Sequence, residues 1–221
     1  SMAVSSADRE TYVATTRVKV GTDDWVDSAG FDALAEGEYG LTAYGVDSRG
    51  RKGEDATAYV KIDATAPESD AVLSTRIPAT GWYLGPVTVT LSATDAVSGV
   101  AAIETETGVV TAPLEFTLEG SYALRWSAVD VAGNREAERS LVFGIDTANP
   151  RCDAKVAFSG GIAVVTLASS ASGSGIDYVE CSVDGKAAGR YGEPVVFLSE
   201  GTHRVKYRAV DRAGRSSDWK T

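Results

Sequence analysis

One stretch of this sequence is written three times, and a chain that repeats itself at that scale is built from stacked copies of one structural unit. The copies run from Glu36 to Gly50 (EGEYGLTAYGVDSRG), from Glu119 to Asn134 (EGSYALRWSAVDVAGN) and from Glu200 to Arg215 (EGTHRVKYRAVDRAGR). Each opens on Glu-Gly, puts an aromatic ring or a histidine two residues after the Gly, alternates apolar and polar residues, and closes on Val-Asp and a Gly-containing turn. Alternation of period two sends successive side chains to opposite faces, so each copy reads as one strand with both of its turns. A second element follows the first two copies: YVKIDATAP, ending at Pro67, and LVFGIDTANP, ending at Pro150. Proline cannot continue a ladder, so each marks a linker between domains. Ile62 and Ile145 of these linkers lie 83 positions apart, the length of one small domain.

The segments between the repeats are also strands in pattern. PVTVTLSATD, SGVAAIETE and PLEFTLEG precede the second copy, and GIAVVTLASS, SGIDYVECSVDG and EPVVFLSEG precede the third. Val and Thr abound, turns are short, and no segment carries a helical period, which predicts an all-β chain of tandem sandwiches. The inward set of the shared strand is Tyr122, Leu124, Trp126 and Ala128, matched by His203, Val205, Tyr207 and Ala209, with Arg125, Lys206 and Arg208 facing water. Three domains follow: 1–64, 65–147 and 148–221. In the first, Tyr12 to Val20 aligns with the third strand of a seven-strand sandwich, leaving only the polar residues 1–11 for the first two. Residues 1–64 are therefore expected to hold the second half of a sandwich, its exposed edge or face covered by something else. The opening Ser-Met-Ala reads as a cloning remnant. The third domain is expected to be cut short at its last strand, near Trp219.

These residues carry a family resemblance. GWYLGPVTVTLSATDAVSGVAAIE (Gly81 to Glu104), EGSYALRWSAVDVAGNREA and IDTANP resemble the bacterial immunoglobulin-like repeats strung in tandem along surface-exposed and secreted proteins. The match is nearly continuous in 65–147, weaker in 148–221, where Ala171 stands in the place of Asp95, and confined to the second half of 1–64. It implies immunoglobulin-like, fibronectin type III-like sandwiches. It implies little about activity, because such repeats serve as stalks, spacers, adhesins and accessory modules.

Tyr39, Tyr122 and His203 share the position at which such sandwiches use a tyrosine to hydrogen-bond the strand corner back to its own backbone. A catalytic His203 would need a nucleophile and an orienting partner, and the sequence places neither beside it. Asp47, Asp130 and Asp211 end the shared strand and are expected to accept backbone N–H groups of the following turn. Sandwich topology also brings linker Asp63 toward Asp95 and Asp130, with Glu36 arriving from the preceding domain. Such a set could hold calcium, a hard cation that wants six to eight oxygens, but the spacing lacks a calcium-loop signature, so capping is the favoured role and no cofactor is expected. At the second linker the corresponding residues are Glu119, Asp146 and Asp211.

Cys152 and Cys181 fall on the first and third strands of the last domain and can both point inward. For a surface protein an inter-sheet disulfide is favoured over two buried thiols. Trp25, Trp82 and Trp219 fall in different domains, which favours packing over a shared sugar platform. Asn134 and Asn149 lie in a turn and a linker, so no Lys–Asn isopeptide bond is expected. Arg135, Glu136, Glu138 and Arg139 read as a solvated sheet edge.

The balance of 21 Lys and Arg against 31 Asp and Glu gives a net charge of −10, which repels phosphate backbones and anionic lipid. Nucleic acid is a poor partner, and no apolar run approaches the ~20 residues of a spanning helix. The reading that follows is a non-catalytic, extracellular or cell-surface spacer of a bacterial protein with adhesive contacts as an added role. Its partners are the neighbouring domains of its parent and a host or wall protein or glycan. The alternative is an accessory glycan- or protein-binding module of a secreted hydrolase.

Overall fold

A computed structural model describes residues 12–30 and 32–221, so the expectation for residues 1–11 lies outside the described residues. The chain divides into two compact units, residues 1–68 with 93–102 and 128–136, and residues 69–92 with 103–127 and 137–221. The strands are β1 (Val13–Val20), β2 (Val26–Asp27), β3 (Gly37–Asp47), β4 (Ala56–Ile62), β5 (Glu68–Leu73), β6 (Trp82–Tyr83), β7 (Val87–Thr94), β8 (Val100–Thr105) and β9 (Gly108–Val109). They continue as β10 (Leu114–Phe116), β11 (Gly120–Asp130), β12 (Arg139–Ile145), β13 (Arg151–Ser159), β14 (Ile162–Ser170), β15 (Ile176–Val183), β16 (Gly189–Arg190), β17 (Val195–Phe197) and β18 (Val205–Asp211). The only helix among the described residues is one 3-10 turn, Ser28–Gly30, so the fold is all-β. Among the described residues no helix is long and apolar enough to cross a membrane.

The three written copies become β3, β11 and β18, each hydrogen-bonded to an upstream strand, β3 to β1 and β18 to β15 antiparallel and β11 to β8. In the first unit β3 lies centrally in a sheet of order β2-β1-β3-β4. Its pairing with β1 carries a register shift between Val13 and Thr15, and β15 pairs with β18 with the same kind of shift between Ile176 and Tyr178. One face of the β1–β3 sheet buries Val18 and Leu41.

Immunoglobulin-like sandwiches build the rest. One pairs a sheet of order β10-β7-β5 with a sheet of order β6-β12-β11-β8-β9. Their inner faces meet in a core of Tyr83, Val87, Val89, Phe143 and Ile145, with Leu73, Leu91, Leu114, Tyr122 and Leu124 packed against it. Aromatic rings fill its centre: Phe143 stacks on Tyr122 with centroids 5.4 Å apart and meets Phe116 edge-on at 5.0 Å. Trp126 is buried as well, its indole N–H donating to Ser69 Oγ at 2.8 Å. Gly144 is required by Trp82, because a Cβ there would lie 2.4 Å from the indole ring. The other sandwich sets β13-β14-β17 against β16-β15-β18 around Cys152, Val165, Leu167, Val179, Tyr207 and Ala209.

Cys152 and Cys181 face one core from opposite sheets, as expected, and in this structure both are free thiols. Cys152 sits at the start of its strand, opposite Ser169, and Cys181 lies well into β15, opposite Tyr207 and Gly189. Burial pushes both thiols above the ordinary cysteine range, which leaves them as small apolar core residues.

Ile145, with no exposed surface, is the last inward residue of β12. Ile145→Ala should cost about 2–5 kcal/mol through lost transfer energy and a residual cavity, read as an earlier urea unfolding transition.

Candidate functional site

The repeated aspartates build the most ordered polar structure in the chain. At the end of β3, Asp47 Oδ1 accepts the N–H groups of Arg49 and Arg51, both at 2.8 Å. At the end of β11, Asp130 Oδ1 accepts from Asn134 N at 2.7 Å, and at the end of β18, Asp211 Oδ1 accepts from Arg215 N at 2.8 Å. The backbones repeat as closely: the N–H of each Asp donates to the carbonyl four residues on at 3.0 Å in all three turns. Gly50, Gly133 and Gly214 hold φ of 82°, 95° and 90°, the left-handed region that side chains other than glycine resist.

Two of these turns receive a linker. At the first linker Asp63 Oδ1 accepts from Thr65 N at 3.0 Å and Oδ2 from Ser98 N at 3.0 Å. The Ser98 side chain, with the Thr65 and Ser98 N–H groups, holds the Asp63 carboxyl below the usual range. Asn134 closes the joint, since its amide donates to Asp130 Oδ2 at 2.8 Å and to the Asp63 carbonyl at 3.1 Å. Asp95 Oδ1 caps its own turn, accepting from Val97 N and Gly99 N. Carboxylate oxygens of Asp63, Asp95 and Asp130 thus gather within 4.8 Å of one another. Glu36 does not join them; it accepts from Ala64 N at 3.2 Å and from the Thr65 hydroxyl at 2.6 Å. Each of the three carboxylates already accepts N–H groups: Asp63 from Thr65 and Ser98, Asp95 from Val97 and Gly99, and Asp130 from the backbone and side-chain amides of Asn134.

The second linker is stitched to the same plan with different residues. Asp146, fully buried, accepts from Ser174 N at 2.8 Å and Ser174 Oγ at 2.6 Å, as well as from Ala148 N at 3.2 Å. Gly173 makes the approach possible, because a Cβ there would stand 2.6 Å from the Asp146 carboxyl carbon. Glu119 accepts from Thr147 N and the Thr147 and Ser172 hydroxyls, which hold it below the usual carboxylate range, the Thr147 hydroxyl contributing most. Arg215 takes the place of Asn134 and spreads its guanidinium over three acceptors: the Asp146 carbonyl at 3.1 Å, Asn149 Oδ1 at 3.2 Å and the Leu84 carbonyl at 2.9 Å. That leaves Asp211 Oδ2 buried with no donor among the described residues. Burial first and the Asp146 carboxylate second oppose its ionisation, outweighing the Arg215 N–H, so its pKa is raised.

The corner residues act on their own backbone. Tyr39 OH donates to the Glu36 carbonyl at 3.4 Å and Tyr122 OH to the Leu118 carbonyl at 2.7 Å. His203 Nε2 donates to the Ser199 carbonyl at 3.2 Å while the ring stacks on Phe197 at 4.3 Å. Here the sequence reading needs correction, because the fold does bring an acid and a hydroxyl to the histidine. His203 Nδ1 meets Asp184 Oδ2 at 2.8 Å, and Ser199 Oγ lies 3.2 Å from Nε2. Asp184 and the Ser199 carbonyl favour the protonated ring and raise the His203 pKa. Nδ1 thus holds Asp184 while Nε2 faces the hydroxyl and the carbonyl of Ser199, so the imidazole ties two turns together across the corner.

The tryptophans are all packed. Trp25 meets Tyr44 edge-on at 4.4 Å under Lys19 and Lys52, and Trp219 lies under Lys206 and Arg208. Ser98, Ser174 and Arg215 escaped the sequence reading, although Ser98 and Ser174 share the Ser-Gly step three residues after Asp95 and Ala171.

No protein-family model matches the chain, and no curated protein matches it. Among solved structures it is similar to the fibronectin(III)-like modules of CbhA from Clostridium thermocellum, at 16% identity over 63% of this chain and 82% of that one, with a TM-score of 0.36. Dimeric latent PorU from Porphyromonas gingivalis is 12% identical over 95% of this chain and 28% of that one, with a TM-score of 0.31. SGBP-B of the Bacteroides ovatus mixed-linkage glucan utilization locus, in complex with a mixed-linkage heptasaccharide, is 15% identical over 91% and 56%, with a TM-score of 0.19.

Two predictions follow from the unequal joints and the corner. Asp130→Asn should destabilise by about 1–3 kcal/mol through the loss of a charged acceptor, while Asp211→Asn should be neutral or stabilising at pH 7, both read by urea denaturation. An acid with a raised folded pKa binds protons more readily in the native state, so its contribution is greatest below the unfolded value of about 3.9 and declines as pH rises through the folded value. Asp211→Asn should remove that decline. His203 has the opposite charge type but the same slope: its stabilisation is complete below about pH 6.5 and fades as pH rises through the raised folded value. His203→Tyr, the residue of the other two copies, should flatten this dependence, and an unchanged pH profile would refute the clamp.

Proposed function

We propose that the chain is a non-catalytic, extracellular spacer in which tandem immunoglobulin-like sandwiches hold other parts of a bacterial surface protein at a set distance. The observation that supports this most is the stitching of the second linker. Its aspartate is buried, and the backbone carbonyl of Asp146, the side chain of Asn149 and the Leu84 carbonyl are all fixed by one arginine. A linker held by so many hydrogen bonds bends little. The first linker is held by Glu36, Ser98 and Asn134 in the same manner. The carboxylates serve here as acceptors for backbone N–H groups, and calcium has no part in the reading.

Backbone 15N relaxation tests it. The parent chain should tumble with coupled sandwiches, and Asp146→Ala with Ser174→Ala should release them to tumble independently. Independent tumbling in the parent would overturn the spacer reading, as would a coupling that appears only when calcium is added. Glycan-array binding lost on Trp25→Ala or Trp219→Ala would replace it with an accessory binding module. Ester hydrolysis lost on His203→Tyr would replace it with an enzyme.

A further inference from the structure

The hairpin after β15 turns on the only Asp-Gly step in the sequence, Asp184–Gly185. Both residues hold positive φ, 49° and 76°, and Lys186 N–H donates to the Val183 carbonyl at 3.0 Å. This is the two-residue turn that Asn-Gly and Asp-Gly favour. Asp184 is the one residue other than glycine with positive φ among the described residues. His203 and Arg204 hold it at three points. Its N–H donates to the Arg204 carbonyl at 2.9 Å, its Oδ1 accepts from Arg204 N at 2.7 Å, and its Oδ2 lies 2.8 Å from His203 Nδ1. The middle sandwich, with Tyr122 at the corner, closes the corresponding hairpin between Thr105 and Gly108 with Glu106-Thr107 instead. Histidine at the corner and Asp-Gly in the hairpin thus occur together.

Asp-Gly is among the least durable steps in a polypeptide, because glycine has no Cβ to shield its peptide nitrogen. That nitrogen attacks the aspartic Cγ, a C–N bond forms, and the carboxyl's hydroxyl leaves as water with the nitrogen's proton, giving a five-membered imide. Water then adds back at one of the two imide carbonyls. Opening at Cγ restores aspartate, and opening at the backbone carbonyl routes the main chain through Cβ and Cγ as isoaspartate. One water leaves and one returns, so mass is unchanged. We propose that Asp184–Gly185 is an isomerisation site held shut by the corner, with His203 and Arg204 as the latch. Attack requires the Asp184 carboxyl to swing onto its own peptide, which breaks the bonds of both oxygens. It also requires a neutral carboxyl, since a carboxylate has no hydroxyl to release. The Arg204 N–H first and His203 second hold the Asp184 carboxyl below the usual carboxylate range. Isomerisation would lengthen the main chain by one carbon and shorten the side chain by one, which parts the carboxylate from its partners.

The test ages the folded chain for several weeks near neutral pH and follows the tryptic peptide 156–186, in which isoaspartate appears as a second species of equal mass. The folded parent should keep one species while the urea-unfolded parent accumulates two. His203→Tyr removes Nδ1 and keeps a corner hydroxyl of the kind Tyr122 supplies. Arg204→Pro deletes the N–H on Oδ1 and keeps the imidazole. Each variant, its fold checked by a cooperative melting curve, should isomerise about tenfold faster or more, the effect of releasing one charge-assisted hydrogen bond before the attack. Asp184→Glu in the His203→Tyr background should abolish the second species, which assigns it to Asp184 and not to Asp177. A folded parent that isomerises as fast as the unfolded chain would overturn the proposal. So would folded variants that age at the parent's rate, or a second species that survives Asp184→Glu.

Discussion

Everything ordered at the ends of these strands depends on one interaction, a short carboxylate accepting backbone N–H groups of the turn that follows it. A buried charge is expensive unless it is bonded, and a turn leaves N–H groups that no ladder satisfies. The aspartate answers both at once. Asp47, Asp130 and Asp211 do this at the ends of three homologous strands, with glycine at the one position where the chain must turn through positive φ. Glutamate would carry its carboxylate one methylene too far for the same loop. The acidic balance of the sequence is thus partly a structural charge, consumed inside turns.

The two linkers show how one plan yields joints of different character. Both present an aspartate to a serine amide three residues beyond the Asp95 or Ala171 position, and both accept a reach from the residue four after the strand-ending aspartate. Where that residue is Asn134, its amide feeds both the linker carbonyl and Asp130. Where it is Arg215, the longer side chain gathers three acceptors but withdraws from Asp211. The loss of a carboxylate at Ala171 runs in the same direction, since a third negative charge beside Asp146 and Asp211 would lack a donor to balance it. The first joint is a cluster of acids shared by amides, and the second is an acid pair held under a guanidinium.

The repeated strand, its inward face and the all-β class were legible because period-two alternation is a local property of the chain. The convergence of Asp63, Asp95 and Asp130 was legible too, since it needs only sandwich topology and the linker's point of entry. What escaped was set by partners with no periodic relation to the repeat. Asp184 lies 19 residues before His203 on a separate turn, and only the folded corner brings its carboxylate to Nδ1. Glu36 was expected as a fourth member of the cluster, but its carboxylate accepts instead from an amide and a hydroxyl of the linker. Alternation put both cysteines in the core, where the fold places them, but a face alone does not fix the distance between two sulfurs.

These details bear on the proposed spacer through the way force would travel. Strands in a sandwich bear load along ladders of many hydrogen bonds, whereas a linker without partners would straighten first. Here the linkers are not slack, because extending the second one must break the bonds from Ser174 to Asp146 and from Arg215 to three acceptors. Hydrogen bonds to charged groups contribute about 1.5–3 kcal/mol each when made in a folded protein. Several of them act in parallel across this one linker. The aspartates that close the repeated turns and the linkers are aimed at backbone N–H groups of the chain itself.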